Sequence, residues 1–190
     1  MAREGSKNLC WLAAAALLAM AAFPSVQAQG ARTEDVSDKV DARVAFHLLQ
    51  GLAGEWTGTA GKENIPATVT YRVGSNGTIV TEMLFPGTDH EMMTVYYLEG
   101  KNLVANHYCA VGNQPHYKLD TAKSTLKELV FAFDGGTNLE PNKDTHVHDG
   151  RIAFIDNGKI ETSWSAYAGG EKRGSHDFHL TRAAAKPSGK

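Results

Sequence analysis

The most constraining feature of this sequence is a repeated pattern: short runs of alternating apolar and polar residues, each followed by a turn. Ser75-Asn76-Gly77 and Asp156-Asn157-Gly158 are two such turns, and both are typical of β-hairpins. About ten runs follow one another over residues 55–182, joined mainly by tight turns and by no crossover helix. An up-and-down barrel is favoured over a sandwich, because closure removes the exposed edges of a meander. The sequence therefore predicts an all-β fold, an up-and-down antiparallel barrel of eight to ten strands.

One short helix is predicted ahead of the first strand. Asp35 and Ser37 are candidate N-caps for a helix over about residues 38–50, and Gly51 ends it. Four residues spaced i, i+4, i+7 and i+8 form the face expected to pack on the barrel. They are Val40, Val44, His47 and Leu48.

The N-terminus has the composition of an export signal. Two basic residues precede an apolar run over residues 9–23, and Val26-Gln27-Ala28 is a small-x-small cleavage site. The run is short for a membrane span, and polar residues follow it at once. We therefore expect residues 1–28 to be a cleaved signal and the protein to be periplasmic or secreted. An uncleaved anchor is the alternative.

The mature chain is expected to be one domain. Residues 29–37 are polar and predicted to be a flexible lead-in, residues 38–182 form the barrel, and residues 183–190 are a loose tail. The net charge of −2 is too small to indicate nucleic acid or an anionic membrane as a partner. No transmembrane span is expected after cleavage, and the protein is expected to be a monomer or a dimer.

The central hairpin, residues 90–115, carries the candidate chemistry. His107 and Cys109 are two residues apart on its second strand, so their side chains leave the same face. Cleavage would leave Cys109 as the only cysteine, which excludes an intramolecular disulfide. This face is expected to point inward, because the alternate residues, Asn106 and Tyr108, are easier to hydrate than a lone thiol.

Three roles for this face stay open. In a ligand site, His107 and Cys109 would act with Thr94, Tyr96, Asn113 and Gln114. In a zinc or copper site, His146 and His148 are the first choice for further ligands, with His90, His116, His176 and His179 competing. In an enzyme, Cys109 would be the nucleophile or His107 the base, although another histidine would be better placed to serve the thiol. Structural roles alone, an imidazole hydrogen-bonded in a partly polar cavity and a space-filling thiol, are a fourth reading.

Two further groups are candidates. Glu82 and Glu91 lie on the strands that flank Pro86-Gly87, and a pair formed across that hairpin would supply a buried acid or base. His176 and His179 lie on opposite faces of the last strand, so one of them points into the barrel. The sequence does not show which one.

Several motifs carry a resemblance to known barrels. Gly54-Glu55-Trp56 after a short helix resembles the opening of lipocalins and related calycins. In that group the tryptophan packs beneath an arginine from the end of the barrel, and Arg182 closes the last strand here. The blocks HEMMTVY, HYC and NQP resemble those of a lipocalin-like family of exported bacterial proteins with no assigned reaction.

The strand count is more similar to that of fatty-acid-binding and nitrobindin-like barrels than to that of eight-stranded lipocalins. Nitrobindin-like barrels hold haem through one histidine near the C-terminal end, where His176 and His179 lie, but the surrounding motif does not match. The resemblance implies a fold and carries no residue assignment for haem.

These observations lead to one expected function and two alternatives. We expect an exported barrel that holds a small, partly apolar or lipid-like ligand, with a metal or haem in the cavity as an open possibility. The first alternative is a small hydrolase or isomerase that uses Cys109 or a cavity histidine. The second is a structural envelope barrel with a filled interior.

Overall fold

The computed structural model describes residues 38–184, and within them the chain forms a closed ten-stranded barrel. The prediction of an all-β, up-and-down antiparallel barrel with one short helix is confirmed. The predicted signal, the lead-in and most of the predicted tail lie outside the described residues. The strands are β1 Gly54–Ala60, β2 Ile65–Gly74, β3 Ile79–Leu84, β4 Met92–Glu99, β5 Asn102–Tyr108, β6 Gln114–Leu119, β7 Glu128–Thr137, β8 His146–Asp156, β9 Lys159–Ala168 and β10 Glu171–Arg182.

The sheet closes through the first and last strands. Each strand pairs with the next in an antiparallel ladder, and β1 also pairs with β10 from Trp56 opposite Arg182 to Ala60 opposite Phe178. Closure leaves no edge strand whose backbone groups would stay unpaired. A ten-stranded closed barrel is compatible with the lipocalin-like fold that the sequence resembles.

The tight turns follow the residues that favour them. Gly100 takes a positive φ of 60° in the turn between β4 and β5, and Asn76 takes 55° between β2 and β3. Glycine and asparagine adopt this left-handed conformation at the lowest steric cost. β7 continues to Thr137, and an irregular segment then leads to His146 at the start of β8.

The helix, α1, covers one end of the barrel and spans Ala42–Gln50. The N-cap is Asp41, whose side chain accepts from the backbone N–H groups of Arg43 and Val44, at 2.8 Å each. The predicted N-caps, Asp35 and Ser37, lie outside the described residues. The predicted buried face is wrong for Val44, which is 41% exposed, and for His47, which is also exposed. The residues that the helix buries are Ala42, Ala45, Phe46 and Leu49, which follow the i, i+3, i+4, i+7 spacing of a single face.

Arg182 ties this helix to the barrel. Its guanidinium donates to the carbonyl oxygens of Gly51 at 2.8 Å and Ala53 at 2.7 Å, just past the end of α1. The guanidinium carbon also lies 4.3 Å from the centroid of the Trp56 ring, so the packing that the lipocalin resemblance implied is confirmed. The Trp56 indole donates to the carbonyl of Leu52 at 2.8 Å. Together these contacts close the end of the barrel that α1 covers, which we call the closed end.

Aromatic side chains fill the middle of the barrel. The ring centroids of Tyr96 and Phe131 lie 5.6 Å apart, and those of Tyr117 and Trp164 lie 5.0 Å apart. Phe131 also stacks on Trp164 at 6.1 Å, so the four rings form one contiguous layer. Within residues 38–184, no helix is both long and apolar enough to cross a bilayer.

Replacing Arg182 with lysine tests the contribution of its planar fork to stability. Lysine keeps the charge but cannot donate to separate carbonyls in a fixed geometry while stacking on Trp56. We expect Arg182→Lys to lower the free energy of unfolding by about 2 kcal/mol, as measured by urea denaturation. Arg72→Lys on the exposed face of β2 is the matched control and should be nearly neutral. Equal stability of the two variants would contradict this account of the closed end.

Candidate functional site

The half of the barrel opposite α1 contains a cavity of about 530 Å³. Its walls come from the inward faces of the strands, and its rim from the loops after β1, β3 and β5. Volumes of this size are typical of sites for small organic molecules. The aromatic layer contributes Tyr117 and Trp164 to its lining. Most of the remaining lining is apolar and includes Ala60, Pro66, Leu84, Met92, Val147 and Phe178.

Backbone geometry places one aromatic ring at the rim. Phe85 has a positive φ of 51°, which is unusual for a bulky residue. Its amide still donates to the carbonyl of Thr68 at 2.9 Å, and its ring centroid lies 5.9 Å from that of Phe178. The strained conformation therefore turns Phe85 toward the cavity at the point where β3 ends.

A row of polar side chains crosses the wall from β2 to β5. In the strand registers Tyr71 lies opposite Glu82, Glu82 opposite Thr94, and Thr94 opposite His107. All four side chains are buried, and the last three line the cavity. Opposed residues on one face of a sheet lie close enough to interact directly. We call Tyr71, Glu82, Thr94 and His107 the polar row.

Glu82 is a buried carboxyl held by tyrosines. Its oxygens accept from the hydroxyl of Tyr71 at 2.5 Å and from that of Tyr96 at 2.8 Å. Burial raises the pKa of Glu82, while the hydroxyls of Tyr71, Tyr96 and Thr94 act in the opposite direction by stabilising the carboxylate. Burial beside this carboxyl also raises the pKa of both tyrosines well above the ordinary range.

His107 lies at the far end of the polar row and is 5% exposed. Its Nδ1 is 3.0 Å from the hydroxyl oxygen of Thr94. Burial, and to a lesser extent the neighbouring His176, lowers the pKa of His107 to about 4, so the ring is neutral at pH 7. Its Nε2 is buried and has no hydrogen-bond partner among the described residues. The predicted inward orientation of this face is confirmed, since His107 and Cys109 both line the cavity.

Cys109 lies beside His107 on the cavity wall, and no hydrogen bond joins its Sγ to an imidazole of the described residues. The hydrogen-bond geometry found for its Sγ within residues 38–184 is a weak one, to the thioether of Met92 at 4.0 Å. A thiol nucleophile needs a base within hydrogen-bond reach. The structure therefore places the thiol in the cavity but does not supply the partner that thiol catalysis requires.

His146 and His148 belong to a different part of the structure. The ring of His148 lies between those of Phe133, at 4.2 Å, and Tyr167, at 4.1 Å. His146 is buried beside them and is 5.5 Å from His148, measured between centroids. Neither lines the cavity that His107 and Cys109 share. Over the described residues, no group of three or more His, Cys, Asp or Glu side chains is arranged to hold a metal ion.

The other predicted ligand-binding residues are distributed differently. Thr94 lines the cavity, whereas Tyr96 is fully buried behind it and holds Glu82. Asn113 and Gln114 are outside the cavity lining and stabilise the loops at its rim. The side-chain amide of Asn113 donates to the backbone carbonyl of Thr145 at 2.8 Å. The side-chain oxygen of Gln114 accepts from the side-chain amide of Asn138 at 2.9 Å.

The strand registers and the burial of side chains decide two questions that the sequence left open. The candidate pair of Glu82 and Glu91 does not form, because Glu82 lies opposite Thr94 and Glu91 is exposed, where it accepts from the backbone amide of Gly87. Of the two C-terminal histidines, His176 lines the cavity and His179 faces outward near Glu161. His176 and His179 are three residues apart on a part of β10 that pairs without a bulge, so their side chains point to opposite faces of the sheet.

Tyr71 was missed as a site residue, although the sequence contains the signal for it. The turn at Ser75-Asn76-Gly77 sets Gly74 opposite Ile79, and three further steps along the hairpin set Tyr71 opposite Glu82. Trp164 lines the cavity and packs over Gly150. A Cβ added at Gly150 would lie 2.2 Å from the Trp164 ring, so only glycine fits there.

Comparison with known proteins adds no assignment. No protein-family model matches the sequence, and no curated protein matches it. The function must therefore be argued from the cavity and the polar row.

The buried neutral state of His107 predicts a specific pH dependence of stability. Its folded pKa is about 4 and its ordinary value 6.5, so between these values the unfolded chain binds the proton and the folded protein does not. Stability from this residue is therefore full above about pH 6.5 and is lost as the pH falls toward 4, by about 3 kcal/mol in total. Glu82 acts with the opposite sign, because its raised pKa favours the folded state as the pH falls.

We expect His107→Gln to remove the histidine contribution while Glu82 is retained. Urea denaturation from pH 4 to pH 7.5 measures the free energy of unfolding of the wild type and of the variant. Relative to the wild type, the variant should become more stable as the pH falls through this window. His179→Gln, at an exposed outward position, is the control and should follow the wild type. A constant difference between wild type and His107→Gln would show that His107 titrates normally.

Proposed function

We propose that this protein binds a small, largely apolar organic molecule inside the barrel. The cavity of about 530 Å³ inside a closed barrel is the observation that carries the proposal. An antiparallel barrel whose interior is filled by its own side chains has no such space. The cavity argues against the filled structural barrel that was one alternative.

The lining supports an apolar ligand with a polar group at one end. Apolar side chains would surround most of the ligand, and removing that surface from water supplies the main driving force. The polar row would fix its orientation, as a few polar groups commonly do in such sites. Phe85 and Phe178 at the rim would add contact to the part of the ligand nearest the opening.

Binding accounts for the site better than the two chemical alternatives. The thiol of Cys109 lacks a contacting base in the described part of the chain, which removes the support for cysteine catalysis. A metal site drawing on His146 and His148 would require residues from two separate clusters. An organic ligand uses the groups that the cavity does bring together.

A neutral fluorescent probe, N-phenyl-1-naphthylamine, provides the binding test. Its emission should rise on entry into the cavity, with energy transfer from Trp164, which lines it. Met92→Trp should weaken probe binding at least tenfold by occupying the cavity, a loss of about 1.4 kcal/mol or more. The fluorescence titration, followed by thermal unfolding with and without probe, checks both expectations.

Met93→Trp is the control, because residue 93 is next on the same strand and points away from the cavity. It should bind the probe like the wild type. Failure of the wild-type protein to bind the probe, or equal weakening by the two tryptophans, would contradict an interior site.

We also propose that the protein acts after export, on the strength of the N-terminal sequence. Expression of the full chain in a Gram-negative host should yield a mature protein that begins at Gln29, recovered from the periplasm or the medium. N-terminal sequencing of the purified protein is the measurement. Retention of Met1 on a membrane-bound product would support the uncleaved anchor instead.

A further inference from the structure

The charge of the cavity wall limits what can bind there. Among the described residues, those that line the cavity include neither lysine nor arginine. The acidic group of the lining is Glu82, which is 2% exposed and already accepts from two tyrosine hydroxyls. The basic side chains of the lining are imidazoles, those of His90, His107 and His176. A carboxylate ligand would lose its hydration without gaining the permanent positive charge of a lysine or arginine, and it would lie close to a buried carboxyl. The wall therefore disfavours fatty acids and other anions.

One buried atom that lines the cavity lacks a hydrogen-bond partner. Nε2 of His107 is buried and has no hydrogen bond from any described residue, although the ring lines the cavity. A buried polar atom without a partner is destabilising, so a ligand that supplies one gains affinity. The other ring nitrogen is already engaged, because Nδ1 contacts Thr94 at 3.0 Å.

The polar row determines which kind of partner Nε2 requires. Thr94 lies between Glu82 and His107 in the strand registers. Its hydroxyl has a single hydrogen, which we assign to the Glu82 carboxylate because this hydroxyl lowers the pKa of Glu82. The Thr94 oxygen then accepts from Nδ1–H of His107. In a neutral imidazole this arrangement leaves Nε2 with a lone pair, so Nε2 can accept a hydrogen bond but cannot donate one.

We propose that the ligand is a neutral apolar alcohol or phenol whose hydroxyl donates to Nε2 of His107. This inference rests on the proposed function and specifies the ligand class for the same cavity. The carbon skeleton occupies the apolar part of the cavity, and the hydroxyl lies at the end of the polar row. The same wall disfavours charged lipids with carboxylate head groups.

Displacement of N-phenyl-1-naphthylamine by three matched compounds tests the ligand class at pH 8. Decanol has the hydroxyl donor, 1-methoxydecane has the same chain with an acceptor only, and decanoate carries a negative charge. We expect decanol to displace the probe at a concentration roughly tenfold lower than either of the others, the effect of one added hydrogen bond. Equal or tighter binding of decanoate or of 1-methoxydecane would overturn the inference and leave interior binding intact.

His107→Phe identifies the acceptor. The variant keeps a ring in place but removes Nε2, so the advantage of decanol over 1-methoxydecane should disappear while binding of the ether changes little. His179→Phe, on the outer face, should retain the full advantage. Persistence of the advantage in a folded His107→Phe protein would overturn the assignment, and the wild-type series decides the ligand class even if that variant does not fold. If none of the compounds, nor the probe itself, binds to the wild type, the proposed function and this inference both fail.

Discussion

Closure of the sheet between β1 and β10 is the constraint on which the rest of the structure depends. It pairs the backbone of the first and last strands and brings Arg182 over Trp56, next to the end of α1. The helix can then cover one end, and the aromatic layer fills the middle. The opposite half keeps a cavity of about 530 Å³, so the cavity is a consequence of how the barrel is closed and filled.

The polar row shows how a sheet can position chemistry without a sequence motif. Tyr71, Glu82, Thr94 and His107 come from four consecutive strands and meet because three hairpin registers align them. Two tyrosine hydroxyls donate to the carboxyl of Glu82, and the Thr94 hydroxyl contacts the imidazole of His107. The buried Nε2 of His107 has no hydrogen-bond partner among the described residues and adjoins a mostly apolar cavity, an arrangement that we propose recognises a neutral polar group.

Much of the fold could be predicted because strands and hairpin turns follow from the residues in short stretches of sequence. The alternation predicts about ten strands, as the structure has them, and turn residues such as Asn76 and Gly100 mark the hairpins. The start of the helix was predicted less accurately, because several residues before Ala42 can also serve as N-caps. Only the structure shows that Asp41 is the N-cap. The inward face of His107 was predicted correctly from the relative ease of hydrating the alternate residues.

The sequence by itself determined the fold class, the position of the central hairpin and the pairing of His107 with Cys109 on one face, because these follow from local periodicity and turn chemistry. The tertiary structure alone decided which distant side chains meet. It separated His146 and His148 from the cavity, placed Glu82 beside Thr94 rather than Glu91, and chose His176 over His179 as the inward histidine. Burial and the depressed pKa of His107 belong to this second group, because solvent exclusion depends on every strand of the closed barrel.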